Sequence, residues 1–311
     1  MGSRFKIAGL DDVMAGCCSQ WSCQHQQRNK EVNVEKAKYS LTYAKHASAL
    51  CLAPGLFRAL RRGERQHAKL AVTYQYRDDC TIEISGPEPL GADDLRVLQG
   101  LIAIAGFSGL TLGSEPKTAE GRQLRESLQL TGLAVSNTSM MVKCSYRHLA
   151  REIGLTEGGR QLEGVKRCVE RLWKVSIIVD DKGFRRGYRL LSHYAADTGR
   201  GQLFVALNPL IANAILGESQ HVRISLAETR LLNGDNARLL HQRLCAWINP
   251  GRRRDVAVDT LCGYLWLEAV GPESVRKRRE RLRAALAELE AIGWSVEEYA
   301  KERYRIGRPK V

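Results

Sequence analysis

Between Pro272 and Trp294 an apolar stripe at helical spacing runs straight through a block of positive charge. Six of the eight residues from Arg276 to Arg283 are basic. Wound at about 100° per residue, Val275, Leu282, Ala285, Leu286 and Leu289 nevertheless fall on one face. Arg276, Lys277, Glu280 and Arg283 project from the opposite face, with Arg279 and Arg281 on the flanks. Pro272 suits a first helical turn, Glu273 favours its positive end, and Gly293 offers the stop. Such a helix docks by its apolar stripe and shows a positive face outward. A charge run is often no more than a solvated surface. Here the cations crowd the N-terminal half, where a helix entering a DNA major groove makes its base contacts, so nucleic-acid contact is the expectation.

The charge of the whole chain points the same way. It carries 48 Lys and Arg against 34 Asp and Glu, a formal net charge of +14. Residues 145–311 hold 30 of the basic and 20 of the acidic residues, and the first 144 hold 18 and 14. The excess is steeper in the C-terminal half, which suits a polyanionic partner and strongly salt-dependent binding. With 311 residues, 44% of them hydrophobic, the chain has the length of about two domains and enough apolar mass to bury real cores. No apolar run approaches the ~18 residues of a membrane span. Met14-Ala-Gly-Cys17 resembles a lipoprotein cleavage site, but Asp11 and Asp12 interrupt the apolar run such a signal needs. The nine cysteines follow no disulfide spacing, and their odd count fits a reducing cytosol.

Along the chain, residues 1–44 are polar, lack periodicity and read as a flexible arm. Lys69–Tyr76 and Thr81–Ser85 read as a hairpin around Arg77-Asp-Asp79. Asp93 is expected to cap an apolar helix through Leu95, Leu98, Leu101, Ile102 and Ala105 that stops at Gly106. Ser145–Gly154 then reads as a short capped helix, and Arg160–Lys174 as a second, with Leu162, Val165, Val169 and Leu172 inward. Val175–Val179 and Arg186–Leu191 form a hairpin across Asp180–Gly183. Helix, turn, helix and two-stranded wing is winged-helix order. Arg160, Arg167, Arg171 and Lys174 lie on the outer side of its second helix, and Lys182, Arg185 and Arg186 sit at its wing tip.

A weaker copy follows. His221–Ser225 leads into a helix, Asp235 caps a longer one carrying Ala237, Leu240, Leu244 and Trp247, and Asp259 caps a third at Val258–Trp266. The Arg276 helix comes next, and Trp294–Ile306 alternates like a second wing. The expected fold is therefore α+β and helix-rich, with two tandem winged-helix domains. The domains are the arm at 1–44, an N-terminal unit at 45–220 and a C-terminal unit at 221–311.

Other chemistries find little support. Cys17, Cys18, Cys23 and His25 lie close together but lack the paired C-x₂-C grammar of structural zinc. His148-Leu-Ala-Arg151 matches the H-x-x-R of tyrosine recombinases, with Tyr299 and Tyr304 as imaginable nucleophiles. That motif, however, sits inside the first helix of the first unit, with Leu149 and Ile153 as its core side. His241-Gln-Arg243 reads as helix surface. No G-x-x-x-x-G-K-[ST] and no carboxylate cluster occurs, so neither an ATP-driven motor nor a two-metal nuclease is expected. No catalytic residue, metal or cofactor is assigned. Cys51, Cys144, Cys168, Cys245 and Cys262, with Trp173, Trp247 and Trp266, read as core.

Several longer runs carry a family resemblance. They are Cys51-Leu-Ala-Pro-Gly-Leu-Phe-Arg-Ala-Leu-Arg-Arg-Gly-Glu64, Ser85–Arg96, Glu170-Arg-Leu-Trp-Lys-Val-Ser-Ile-Ile178, Phe204–Ile211, Ala237–Cys245, Asp259–Tyr264 and Arg276–Arg279. In one colinear order from about Lys45 to the end, they resemble the RepC replication initiators of IncQ-type plasmids. Residues 1–34 look like an extension beyond that pattern. The resemblance implies tandem winged helices that bind directly repeated iterons in double-stranded DNA at a plasmid origin. It also implies melting of an adjacent AT-rich segment and recruitment of a separate plasmid-encoded helicase and primase. That division of labour agrees with the missing P-loop.

On this basis Arg276, Lys277, Arg279, Glu280 and Arg283 are expected in the major groove, with Arg favouring guanine and Glu280 able to accept from cytosine or orient an arginine. Arg303 and Arg305 on the wing, with Arg252, Arg253 and Arg254 before it, are expected to hold phosphates. Arg160, Arg167 and Arg171 would meet a neighbouring groove, or that unit would face a second protomer in a homodimer. A winged-helix transcriptional repressor and a tyrosine-dependent nicking enzyme are the competing readings.

Overall fold

The structure is a computed structural model that describes residues 39–112, 122, 126, 139–197 and 199–310. From Leu41 onward the chain forms one compact unit. The expected arm yields to ordered backbone before its end: Leu41 and Ala44 are buried, and strand β1 spans Tyr43–Ala47. It pairs antiparallel with β10, His221–Ser225, so that Tyr43 faces Ser225 and Ala47 faces His221. Polarity concealed this strand because Lys45 and His46 interrupt its apolar residues, although His46 is itself buried. Cys17, Cys18, Cys23, His25 and the Met14–Cys17 motif lie outside the described residues.

After the short helix α1, Ser48–Leu52, the first hairpin falls where alternation puts it, as β2, Leu70–Arg77, and β3, Cys80–Gly86. Leu70, Val72, Ile82 and Ile84 supply its buried face. Helix α2 runs Ala92–Ser108. It begins one residue before the expected Asp93 cap, because Asp94 turns back and accepts the Gly91 N–H at 2.9 Å. It also continues past Gly106. With Leu95, Val97, Leu98, Leu101, Ile102 and Ile104 all buried, it is apolar nearly all round, the pattern of a helix enclosed by others.

Two chain segments then build similar arrangements. In the first, β5, Ser139–Ser145, leads into α3, Tyr146–Glu152, whose start is capped by the Ser145 hydroxyl accepting the His148 N–H at 3.0 Å. After a turn at Gly154, where φ is +73°, comes α4, Gly159–Trp173, with Val165, Cys168, Val169 and Leu172 buried. The hairpin that follows is β6, Ser176–Asp181, and β7, Phe184–Arg189. Lys182 and Gly183 both take positive φ, 52° and 78°, the two-residue turn that suits strand twist. Leu191, expected to end this hairpin, instead opens β8, Leu191–Asp197. With β4, Leu110–Leu112, and β9, Gln202–Leu207, the strands form two four-stranded sheets in the orders β2-β3-β6-β7 and β4-β5-β9-β8. Helix α5, Pro209–Leu216, is capped by Asn208, which accepts the Ile211 N–H at 3.0 Å.

In the second segment α6, Leu226–Leu231, and α7, Asp235–Trp247, precede β11, Arg253–Ala257. Asp235 and Asp259 stand in first turns rather than at caps; the caps are Gly234 and Ala257. The stretch from Arg252, expected to precede the wing, becomes from Arg253 the edge strand of a sheet ordered β11-β13-β12. Helix α8 spans Val258–Leu265 and α9 spans Pro272–Ala291, followed by β12, Ser295–Ala300, and β13, Arg303–Gly307. The α9 stripe is as expected: Leu282, Ala285, Leu286 and Leu289 are buried and Val275 is half-buried. Each such leucine contributes roughly 1.5–3 kcal/mol by leaving water, and together they fix which face of α9 stays outside. The architecture is mixed α+β.

His241, expected on the surface, is wholly buried. Its Nε2 lies 2.7 Å from the Glu228 carboxylate, which also accepts the Trp294 indole N–H at 3.1 Å. This network ties α6 and α7 to Trp294, just before β12. Cys51, Cys144, Cys168 and Cys245 are buried and Cys262 is half-buried, as core fillers would be. Trp266 is buried, while Trp173 and Trp247 are half-buried beneath Arg189 and Arg254 at 4.5 and 5.3 Å.

Candidate nucleic-acid interface

Burying the leucine stripe leaves Arg276, Lys277, Glu280 and Arg283 exposed on α9. Arg276 Nη1 stands 3.0 Å from Glu280 Oε1, and Lys277 Nζ 2.7 Å from Glu273 Oε1. Glu280 thus has an arginine as its partner on the same helix face. Exposed i,i+4 pairs of this kind are worth about 0.3–0.5 kcal/mol. A phosphate or base edge can displace them at little cost.

The flanks of the helix behave differently. Arg279 turns inward: its guanidinium meets Glu302 at the hairpin turn and lies 2.8 Å from Asp259 Oδ1 on α8. On the other flank Arg278 packs over Trp266, 5.6 Å from the ring centre, and donates to the Glu268 carbonyl at 2.6 Å. Arg305 is likewise committed. It forms a two-point bond to Asp255, at 2.8 and 3.0 Å, directly across the β11–β13 pairing. The donated hydrogen bonds hold the Asp255 carboxyl below its usual range. Spacing alone puts Arg279 and Arg305 toward a ligand; the acids that claim them come from elements distant in sequence. Arg252, Arg253, Arg254 and Arg303 are exposed.

On the N-terminal side Arg160, Arg167 and Lys174 are exposed along α4. Arg171 is not. Its Nε lies 2.8 Å from Asp94, a fully buried carboxylate that Arg65 reaches from its other oxygen at 2.8 Å. Arg171 therefore fastens α4 to α2 instead of facing outward. At the hairpin tip Lys182, Arg185 and Arg186 are exposed, with Arg185 3.1 Å from Glu83 two strands away. Arg186 stacks on Phe184, 4.5 Å from the ring centre, and that ring is 45% exposed. Phe184 escaped sequence reasoning because a lone aromatic in a strand reads as core. Arg61 and Arg62, exposed in the loop before β2, were also missed, although adjacent arginines at a turn were a visible signal.

Tyr299 is 39% exposed beneath Arg305, whereas Tyr304 is buried and donates its hydroxyl to Glu298 at 3.1 Å. Burial, reinforced by Glu298, raises the Tyr304 phenol above its ordinary value. His148 Nδ1 lies 3.1 Å from Arg151 on α3. Among the described residues no cluster of three or more His, Cys, Asp or Glu is placed to hold a metal, and no helix is long and apolar enough to cross a membrane.

Residues 38–310 match the family model described as replication protein C (RepC). No curated protein gives a significant match in sequence. Among solved structures, the chain is similar to domains 2 and 3 of RctB. A selenomethionine form superposes with a TM-score of 0.53 at 10% identity, covering 84% of this chain and 97% of that one. A second structure of RctB domains 2–3 gives 0.52 at 9% identity, covering 85% and 97%. At such identity the likeness is one of fold.

Proposed function

This chain belongs to the replication protein C (RepC) family, and from that premise we propose that it is a replication initiator that binds directly repeated iterons at a plasmid origin. Its two helix–turn–helix–hairpin segments act as tandem winged-helix units, one within 45–220 and one within 221–311. The observation that carries the reading is the outer face of α9, where Arg276, Lys277 and Glu280 in the N-terminal half, and Arg283 just past the middle, stand exposed on a helix anchored by its leucines.

The C-terminal unit supplies most of the sequence readout. Arg276, steadied by Glu280, reads a guanine edge. Lys277, Arg283, Arg303 and Arg252–Arg254 hold phosphates and set the register. The N-terminal unit meets a neighbouring groove through Arg160, Arg167 and Lys174, with Lys182, Arg185 and Arg186 on its wing. Arg171, Arg279 and Arg305 act as internal braces. Occupied repeats strain the duplex, and an AT-rich neighbour opens at lowest cost. The protein works in the bacterial cytoplasm as a binding platform rather than an enzyme, leaving unwinding and priming to a plasmid-encoded helicase and primase. The test is binding to duplexes with intact or scrambled repeats across a salt series. Preference for intact repeats, with affinity falling steeply as salt rises, is expected; equal affinity for both contradicts the reading.

A further inference from the structure

Two grooves on the surface share a wall. One, of about 880 Å³, lies between α9 and the loop 58–66 and is lined by Arg61, Arg62, Lys277, Arg278 and Arg281 among others. The second, of about 460 Å³, lies between α2 and α4 and is lined by Arg96, Arg160 and Arg167 among others. Arg65 and Asp93 line both, so the two adjoin, and the path along them runs from Lys277, Arg278 and Arg281 of α9 to Arg160 and Arg167 of α4.

The charge along this path is uncompensated. Arg61, Arg62, Arg281, Arg160 and Arg167 are exposed and make no ion pair with any described residue. Most of the lining acids are already engaged. Glu288 accepts the N–H groups of Asn233 and Gly234 at 2.7 and 2.9 Å, at the start of α7. Asp235 pairs with Arg238 at 3.3 Å. Asp93 alone among them has no such partner within the described residues. Five exposed guanidinium groups without an ion-pair partner among the described residues, set along two adjoining grooves, form a site for a linear polyanion, because guanidinium geometry matches phosphate oxygens two at a time.

We infer that this path is a phosphate-binding channel, in which Arg61 and Arg62 grip the duplex backbone where it passes between the grooves entered by α9 and α4. The inference rests on the proposed DNA-binding role and adds a third contact element, the loop 58–66, that links the two units. Its ligand is the phosphodiester backbone of double-stranded DNA, and its contribution carries no base preference.

The test compares the full chain with R61A/R62A on one-repeat duplexes, matched and mismatched, and on the single strand. Each phosphate contact contributes about 0.9 to the salt slope, so the slope is expected to fall by about two. Affinity is expected to fall about equally for both duplexes, and the melting temperature to stay unchanged because both side chains are exposed. An unchanged slope, a loss confined to the matched duplex, or a loss confined to the single strand overturns the inference. If the unmodified protein shows no preference for the matched repeat, the DNA-binding reading itself fails. Unaltered behaviour of the variant beside a repeat-selective parent sinks only the channel.

Discussion

Arg279 on α9 sets its guanidinium 2.8 Å from the Asp259 carboxylate on α8. Together with the bond to Glu302, this joins the basic helix to both its preceding helix and its following hairpin. Positive charge on α9 is thus divided between residues that face outward and residues that fix the helix in its unit.

That division separates two variants. Arg276→Ala is expected to lose ~1–3 kcal/mol of binding and relax selectivity at one base position. Arg279→Ala is expected to cost under about 1 kcal/mol of stability, since its ion pairs remain solvent-accessible. It should weaken all sequences about equally by loosening the hairpin. Competition binding over a panel of singly substituted repeats distinguishes the two patterns, and the reverse assignment refutes this division.

Asp94 is a fully buried carboxylate, and it holds Arg65 and Arg171 at once. Asp94→Ala leaves two partly buried guanidinium groups without their carboxylate and removes the acceptor for the Gly91 N–H. Because both arginines retain some access to water, the cost is expected near 2–3 kcal/mol, below the ~3–5 of a fully buried pair. Denaturant unfolding measures it; a change within about 0.5 kcal/mol would show that the carboxylate is not structural.

The buried His241–Glu228 pair predicts how stability varies with pH. Burial pushes the His241 pKa down, but Cys245 and Glu228 together raise it to about 9, above an ordinary value of 6.5. Burial also opposes the charged Glu228, yet the hydrogen bonds from His241 and Trp294 hold it below its ordinary 4.5. A raised base stabilises fully below its unfolded pKa and loses that contribution as pH climbs through its folded value. A lowered acid stabilises above its unfolded pKa and loses that contribution as pH falls through its folded value. The pair therefore contributes most between about 4.5 and 6.5, and its contribution declines up to about 9. Thermal melts of His241→Gln beside the parent should show a difference that narrows over the alkaline range. A constant difference there contradicts a charged pair.

At Gly100 α2 lies close against Leu149 of α3 and against Ile153 just after it. A Cβ there would strike Ile153 and Leu149 side chains that are themselves in the core. Gly100→Ala gains helix propensity of about 1 kcal/mol but forces repacking that costs ~1–3 kcal/mol. A net loss in melting temperature is expected; a rise would mean that the two helices separate freely.

Periodicity made the helices and hairpins legible: α4, α9, the β2–β3 pair and the two later hairpins stand close to where apolar spacing puts them. Sheet partners were not legible. Nothing near β6 in sequence says that it pairs with β3, or near β1 that it pairs with β10. The same locality governs the cations. A helical wheel separates Leu282 from Arg276 cleanly, because they lie on opposite faces. It cannot decide a flank residue such as Arg279 or Arg171, whose direction is set by an acid on another element. His241 misled for a related reason, since its partner Glu228 lies on a different helix and burial of a charged pair leaves no mark on spacing.

The central claim is tested most directly by footprinting the protein on a supercoiled plasmid carrying its own origin, with permanganate to reveal unpaired thymines. Periodic protection over direct repeats, with reactive thymines in a flanking AT-rich segment, is the predicted result. Protection at the repeats without reactive thymines under any protein concentration would contradict origin opening by this chain and leave it a repressor-like binder.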